Sequence, residues 1–316
     1  MAVDLASNVP VFFTGLHTAF QLAYQTPETW WQSIAMQVTS ETEIESYAWV
    51  DRIPRARQWL GPRTINNLSV RTRNILNVDY ELTQAIPRNK FRDDKLGMFK
   101  PLAEMMAWEF KKLPDQQIAA LLQSNPIGFD GVSFFNAAHL SNLDDPASAV
   151  YSNTGTLSLT PANFGAARAA MRGWVGADGN PYGSSPSILA VPPQLEDVGR
   201  RLLMTDYVGR GNITPAAGVI PTDSAATATA EQNIYKNASQ LIVIPELQNQ
   251  PTTWYLIDGS RPIKPFLVQV RQEPNFVYRA SEDDDNLFFN KEYIWGVDAR
   301  YGFDVTLPFL AMRQVG

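Results

Sequence analysis

The sequence predicts an α+β fold, and three observations carry that expectation. Helix-period and strand-like segments interleave along the chain without the steady alternation of a wound parallel sheet. No segment recurs with a period of roughly 20–50 residues, so a solenoid or propeller is not expected. The length, 316 residues, suffices for a core that needs no disulfide or metal and, as a soft prior, for about two domains.

Near the start, Leu16, Ala19, Phe20, Ala23 and Tyr24 recur at helical spacing, and Pro27 ends the pattern. Trp30, Trp31, Ile34 and Met36 follow, then Tyr47-Ala48-Trp49. These residues read as packing anchors, because large rings dominate buried area. Residues 52–78 carry Arg52, Arg55, Arg57, Arg63, Arg71 and Arg73 with no acid and no lysine. Gly61-Pro62 marks a turn there, and 68–70 and 75–78 read as short strands. With Trp59 as its one aromatic residue, the segment makes a poor stacking platform for single-stranded nucleic acid. A solvated basic hairpin and an arm reaching for an acidic partner both fit it.

Asp93 and Asp94 stand where a helix is expected to begin, ahead of a stripe of Leu102, Met105, Met106, Phe110 and Leu113. Pro101 places the regular helix near itself or kinks it. Pro114 is expected to interrupt it, with Ile118, Leu121 and Leu122 continuing in a second short helix. Trp108 lies off the stripe. Residues 129–136 read as a turn between aromatics, and the stretch to about Thr160 as loop. Thr160-Pro161 then opens a helix through Phe164, Ala167 and Met171. A Gly/Pro-rich loop at 176–186 leads to a buried strand at 188–191, and Leu195, Val198, Leu202 and Leu203 mark another amphipathic helix. Small polar residues at 211–233 indicate an exposed loop. Strands are expected at 241–244, 254–257, 266–270 and 293–297, with the acidic run Glu282-Asp283-Asp284-Asp285 before the last.

The rare residues exclude much chemistry. With no cysteine, thiolate metal sites, cysteine nucleophiles and disulfide scaffolds are absent. His17 and His139 are the two histidines, too few for a multi-histidine metal site. His17 reads as a surface or interface residue of its helix. His139 reads as a structural or turn histidine, with catalysis the lesser alternative. Phosphate-loop, dinucleotide and zinc-helix motifs and the Gly-x-Ser-x-Gly elbow are all missing. Asp93-Asp94 and Asp144-Asp145 are explained by a helix start and a polar loop. Residues 282–285 lack the spaced pattern of a calcium loop. A hydrolase built on two carboxylates is the enzyme class left standing. Neither a catalytic residue, a cofactor nor a metal is expected. A net charge of −6 argues against bulk attraction to nucleic acid, and no apolar run reaches the roughly 20 residues of a membrane span. These features suit a soluble chain in a reducing, intracellular setting.

Charged residues make up 18% of the chain, against roughly 25% in ordinary domains, so much of the surface is expected to face protein. The arginines at 55, 57, 63, 71 and 73 and the acids Glu282, Asp283, Asp284 and Asp285 have opposite signs and lie far apart. In an oligomer they set up an arm-to-loop contact between subunits. Each pair is worth only about 0–1 kcal/mol, yet repetition fixes register.

Several strings, in order and spacing, bear a family resemblance. They are Tyr47-Ala48-Trp49; 54–63 (PRARQWLGPR); Asp93-Asp94-Lys95-Leu96-Gly97; Asp130-Gly131-Val132-Ser133-Phe134-Phe135 with His139; Val191-Pro192-Pro193-Gln194-Leu195; 254–258 (WYLID); and 293–300 (YIWGVDAR). Along nearly its whole length the chain resembles the major head (capsid) subunits of Mu-like bacteriophages, the gpT type, which have the Hong Kong 97-type capsid fold. The resemblance implies an N-terminal arm at 1–50, an extended loop at 51–90 and a peripheral domain with its spine helix at 91–160. An axial domain at 161–257 and peripheral C-terminal strands at 258–316 complete it.

It also implies a structural protein that self-assembles as pentamers and hexamers into an icosahedral head enclosing double-stranded DNA, without sequence-specific binding and without membrane. A separate scaffold, a maturation protease, a portal and decoration proteins are the implied partners. The implied location is the virion, assembled in the host bacterial cytoplasm. Some shells of this fold crosslink a loop lysine to an asparagine; residues 51–89 contain no lysine, so no such mesh is expected from this loop. A nanocompartment shell of the same fold is the alternative reading.

Overall fold

The computed structural model describes residues 5–26, 28–50, 58, 70–93, 97–176, 178–209, 230–281 and 284–316. In chain order the elements begin with α1 (Leu5–Tyr24), α2 (Trp31–Ile34), β1 (Ala35–Thr39), β2 (Ile44–Val50), β3 (Val70–Leu76), β4 (Val78–Pro87), α3 (Arg88–Asp93) and α4 (Phe99–Ser124). They continue with β5 (His139–Leu140), β6 (Val150–Tyr151), β7 (Thr154–Gly155), α5 (Pro161–Gly173), β8 (Ile188–Val191), α6 (Glu196–Met204) and β9 (Tyr207–Gly209). Last come β10 (Ala230–Gln232), β11 (Gln240–Val243), β12 (Thr253–Ile257), β13 (Phe266–Arg279), α7 (Asp285–Asn290), β14 (Glu292–Val305) and β15 (Ala311–Val315). Contacts divide the chain into two units, one drawn from 1–49, 71–124 and 266–306 and the other from 50–70, 125–265 and 307–316.

The first unit is a four-stranded sheet in the order β1-β13-β14-β4, with β1 parallel to β13 and the other pairs antiparallel. Along β14 the side chains alternate: Tyr293, Trp295, Val297, Ala299 and Tyr301 are buried, and Ile294, Asp298 and Arg300 between them are partly exposed. Phe13 of α1 stacks on Tyr278 of β13 at 4.8 Å, and Phe20 and Trp295 both pack on Phe276. Helix α4 lies against α1 and buries Ala103, Met106, Ala107, Phe110, Ile118, Ala119 and Leu122.

Helix α4 differs from its expectation in three ways. Its 26 residues, about 39 Å at helical rise, run without a break through Pro114. The proline forfeits one backbone hydrogen bond, while the buried residues on both sides of it hold the helix through that position. The inward face also turns away from the expected stripe: the small Ala103 and Ala107 take core positions, and Met105 is 66% exposed. Finally, Asp93 ends α3 rather than opening this helix, and Asp94 lies outside the described residues. Pro101 falls in the first turn, where its missing N–H would have no helical partner. Beside Pro114, the buried carboxylate of Asp115 accepts from the N–H groups of Trp30 (3.1 Å) and Trp31 (2.8 Å), capping α2.

The second unit is built on a five-stranded mixed sheet in the order β11-β8-β12-β15-β7. Every residue of β8 and β12 is buried, as their uninterrupted apolar runs require. Phe164, Ala167 and Met171 of α5 and Leu202 and Leu203 of α6 pack with Leu189, Val191, Trp254 and Leu256. Thr160 Oγ1 accepts from Asn163 N–H at 3.2 Å and Pro161 opens α5, as its sequence predicts. In α6, Gly199 is buried where Val198 was expected, because Leu241 would collide with any Cβ at 199.

The contact boundaries differ from the sequence divisions at 160/161 and 257/258. Residues 125–160 and 307–316 join the second unit, since β15 and β7 are strands of its sheet.

Two outcomes are expected. D115A removes a buried acceptor shared by two N–H groups and lowers stability by about 2 kcal/mol in urea unfolding. Glu45 Oε1 accepts from Ser40 Oγ (3.0 Å), Glu41 N–H (2.8 Å) and Thr42 N–H (2.9 Å), and the backbone donors at 41 and 42, ahead of the hydroxyls, lower its pKa to about 2. A lowered carboxyl contributes to folding above its unfolded pKa of 4.5 and loses that contribution as pH falls toward about 2. The protection factors of the Glu41 and Thr42 amides, taken relative to intrinsic exchange at each pH, are therefore expected to fall across that window in wild type and not in E45Q.

Candidate assembly surfaces

A buried polar network joins β2 and the residue after β3 to the sheet of the first unit. Strands β2 and β3 pair with each other, and Ser46 Oγ donates to Asn74 Oδ1 between them at 2.8 Å. Beneath them, Gln269 is fully buried. Its amide nitrogen donates to Asn77 Oδ1 at 2.7 Å, and its oxygen accepts from Tyr47 O–H at 2.8 Å. Asn77 in turn donates to Ser40 Oγ and the Thr42 carbonyl, both at 2.8 Å. Each polar atom here has a partner, which makes its burial tolerable.

Arg73 forms a two-pronged pair with Asp304 of β14. Nη2 donates to Oδ1 at 2.7 Å, and Nε contacts Oδ2. The Asp304 side chain is 7% exposed, so this arginine holds its own fold together. Arg71 is exposed on the same strand. Arg55, Arg57 and Arg63 lie outside the described residues, as do Glu282 and Asp283. Asp284 Oδ1 accepts from Asn286 N–H at 2.9 Å and caps α7, whose first turn holds Asp285.

His139 and His17 differ in burial. Asn153 donates through Nδ2 to the carbonyls of Phe134 (2.7 Å) and Pro308 (3.0 Å) and accepts Asn136 N–H at Oδ1 (2.7 Å). That pattern fixes which end of the amide faces His139, so Nε2 donates to Oδ1 at 3.1 Å while Nδ1 meets Asp130 Oδ2 at 2.6 Å. Both ring nitrogens are thus engaged in holding 130, 139, 153 and 308 together. His17 is half-buried, stacked on Phe276 at 5.5 Å.

On the first unit, Tyr24 is pushed up to about 12 by burial and then by the neighbouring Glu273 carboxylate, to which it donates. Burial also raises Tyr301, assisted by Tyr24 and Glu273. A cavity of about 520 Å³ opens over α1 and α4, lined by Ala19, Leu22, Trp108, Lys100 and Glu104. Among the described residues no group of three or more His, Asp or Glu is placed to hold a metal ion, and no helix is long and apolar enough to cross a membrane.

A long helix along a four-stranded sheet and a second unit on a mixed sheet define the Hong Kong 97-type capsid protein fold. The chain aligns with the procapsid protein of bacteriophage JBD30 at a TM-score of 0.60 and 21% identity, covering 98% of this chain and 75% of that one. It aligns with the capsid of a native GTA particle at 0.54 and 12% identity, covering 92% and 93%. For the virus-like particle from Pyrococcus furiosus the values are 0.51 and 9%, covering 96% and 99%.

The profile of the Mu-like prophage major head subunit gpT family matches residues 9–158, 155–247 and 246–314, and the chain belongs to that family. It is 23% identical over 304 residues to the major capsid protein of Escherichia phage Mu, covering 94% of this chain and 71% of that protein. Against the Mu-like prophage FluMu major head subunit of Haemophilus influenzae it is 21% identical over 301 residues, covering 93% and 70%.

Arg73 should prove structural. R73A leaves the buried Asp304 carboxylate without its charged partner and is expected to cost about 2 kcal/mol in urea unfolding.

Proposed function

We propose that this chain is the major capsid protein of a tailed bacteriophage and that copies of it assemble into the shell of the head. The observation that carries the reading is the family match, which runs from residue 9 to 314 on a chain with the capsid fold. The surface chemistry supports it, because the engaged histidine and arginine side chains serve packing rather than turnover.

In this reading the first unit is the peripheral domain with α4 as its spine, and the second is the axial domain. Pentamers and hexamers tile an icosahedral lattice around double-stranded DNA, which is enclosed without sequence-specific contacts. A separate scaffold, a maturation protease, a portal and decoration proteins act on or join the shell, in a host bacterial cytoplasm. Arg55, Arg57, Arg63 and Arg71 reach the loop of Glu282, Asp283, Asp284 and Asp285 on a neighbouring copy. Arg73 is already engaged by Asp304 and Asp284 by its helix cap.

Negative-stain microscopy of the chain co-expressed with its scaffold is expected to show closed particles of uniform diameter. Discrete small oligomers under all conditions would overturn the reading. Closed particles that enclose a host enzyme and exclude DNA would favour a nanocompartment.

A further inference from the structure

The helical face of the first unit carries a groove whose shape the packing within one chain does not explain. Phe12 meets Phe99 at 6.2 Å and the Lys111 ammonium lies 4.8 Å from the Tyr24 ring, so α1 and α4 run parallel. The cavity of about 520 Å³ follows both helices, with the small Gly15, Ala19 and Ala23 on its α1 side. Leu22 and Trp108, 66% and 47% exposed, form its apolar rims. Glycine inside a helix is less stable than alanine. Yet a Cβ at Gly15 would meet nothing within 4 Å among the described residues. Folding of one chain gives no reason to omit that side chain, whereas close approach of another surface does.

The same unit exposes a projection that fits. Phe288 and Phe289, consecutive on α7, are 77% and 75% exposed, with ring centroids 5.1 Å apart at 89°. Leu287 takes the buried position beside them, and Asn286 donates from Nδ2 to the Glu292 carbonyl at 3.2 Å. Lys291, at φ 56°, closes the turn with its N–H on the Leu287 carbonyl at 3.1 Å. The rings are thus held outward on a braced turn. A cavity of about 150 Å³ already accepts a benzene-sized group, so the groove has room for both. Charge sets the direction. Asp285 opens α7 and Lys291 follows its end, about 9 Å further on at helical rise. Lys100 and Glu104 stand one turn apart on the α4 side of the groove. With α7 laid along the groove, Asp285 comes to Lys100 and Lys291 to Glu104.

We infer that α7 of one copy seats Phe288 and Phe289 in the α1/α4 groove of a second copy, with Asp285 at Lys100 and Lys291 at Glu104. Two different patches of the chain meet, so the contact is heterologous: it repeats around a ring or through a lattice instead of closing as a two-fold dimer. The inference rests on the shell-forming reading and adds to it which surfaces of the first unit join.

The chain has no cysteine, so introduced thiols report this contact without background. Chains carrying N290C, beside the rings, are co-assembled through the scaffold with chains carrying T18C or T26C, on the groove, and the particles are treated with a short bismaleimide. Mixed dimers on denaturing gels are expected for at least one pairing, and a ladder beyond the dimer for a chain carrying both substitutions. No mixed dimers, N290C–N290C dimers alone, or groove thiols joined only to the scaffold would overturn the contact. In parallel, G15L fills the groove with a good helix former. It is expected to leave the melting midpoint of the unassembled chain unchanged or higher, and to raise the concentration needed for assembly roughly tenfold. Assembly equal to that of the unsubstituted chain would overturn the role of the groove. If the unsubstituted chain forms no particles, the shell reading falls and takes this contact with it; particles without the cross-link sink the contact alone.

Discussion

Strand β14 is hydrogen-bonded to β13 on one edge and to β4 on the other, and the first unit is organised by that double pairing. A strand with two partners cannot slip by one residue without sending Tyr293, Trp295 and Val297 to the wrong face. Close approach fixes it further. A Cβ at Gly296 would lie 3.0 Å from the Leu82 carbonyl oxygen, and one at Gly302 3.0 Å from that of Leu76. With the register held, the core ladder meets α1 and α4, Asp304 meets Arg73, and α7 is held at the strand's beginning.

This arrangement serves assembly better than catalysis. A shell protein must present several patches to copies of itself, each too weak to act before the lattice closes. Strong polar interactions are therefore turned inward, as in the Asn77–Gln269–Tyr47 network and the Asn153–His139–Asp130 cluster. Among the described residues, what remains outside is diffuse, as at Arg71, Asp285 and isolated apolar side chains such as Leu22 and Trp108.

The parts of the fold written in local pattern were legible in the sequence. Thr160-Pro161 announced α5, unbroken apolar runs announced β8 and β12, and short strings in order announced the family and with it the fold. Helix α4 was misread because alanine carries little hydrophobic signal, yet Ala103 and Ala107 are fully buried. Pro114 looked like a stop because local propensity omits tertiary packing. The pairs that build the candidate site were hidden for another reason: Arg73 and Asp304, or Asn77 and Gln269, are brought together only by long-range strand order. Phe288 and Phe289 had no signal in sequence at all, since nothing in two adjacent phenylalanines says that Leu287 will take the inward place.

The parallel pairing of Ala35–Thr39 with Phe266–Val270 also has a consequence in time. On a ribosome adding roughly 5–20 residues per second, β1 emerges on the order of ten seconds or more before its partner exists. Through that interval its edge is open to any neighbouring nascent chain, at a site where many copies are being made at once. The exposed polar side chains of Gln37 and Thr39 must keep that edge from pairing with the wrong molecule until β13 arrives.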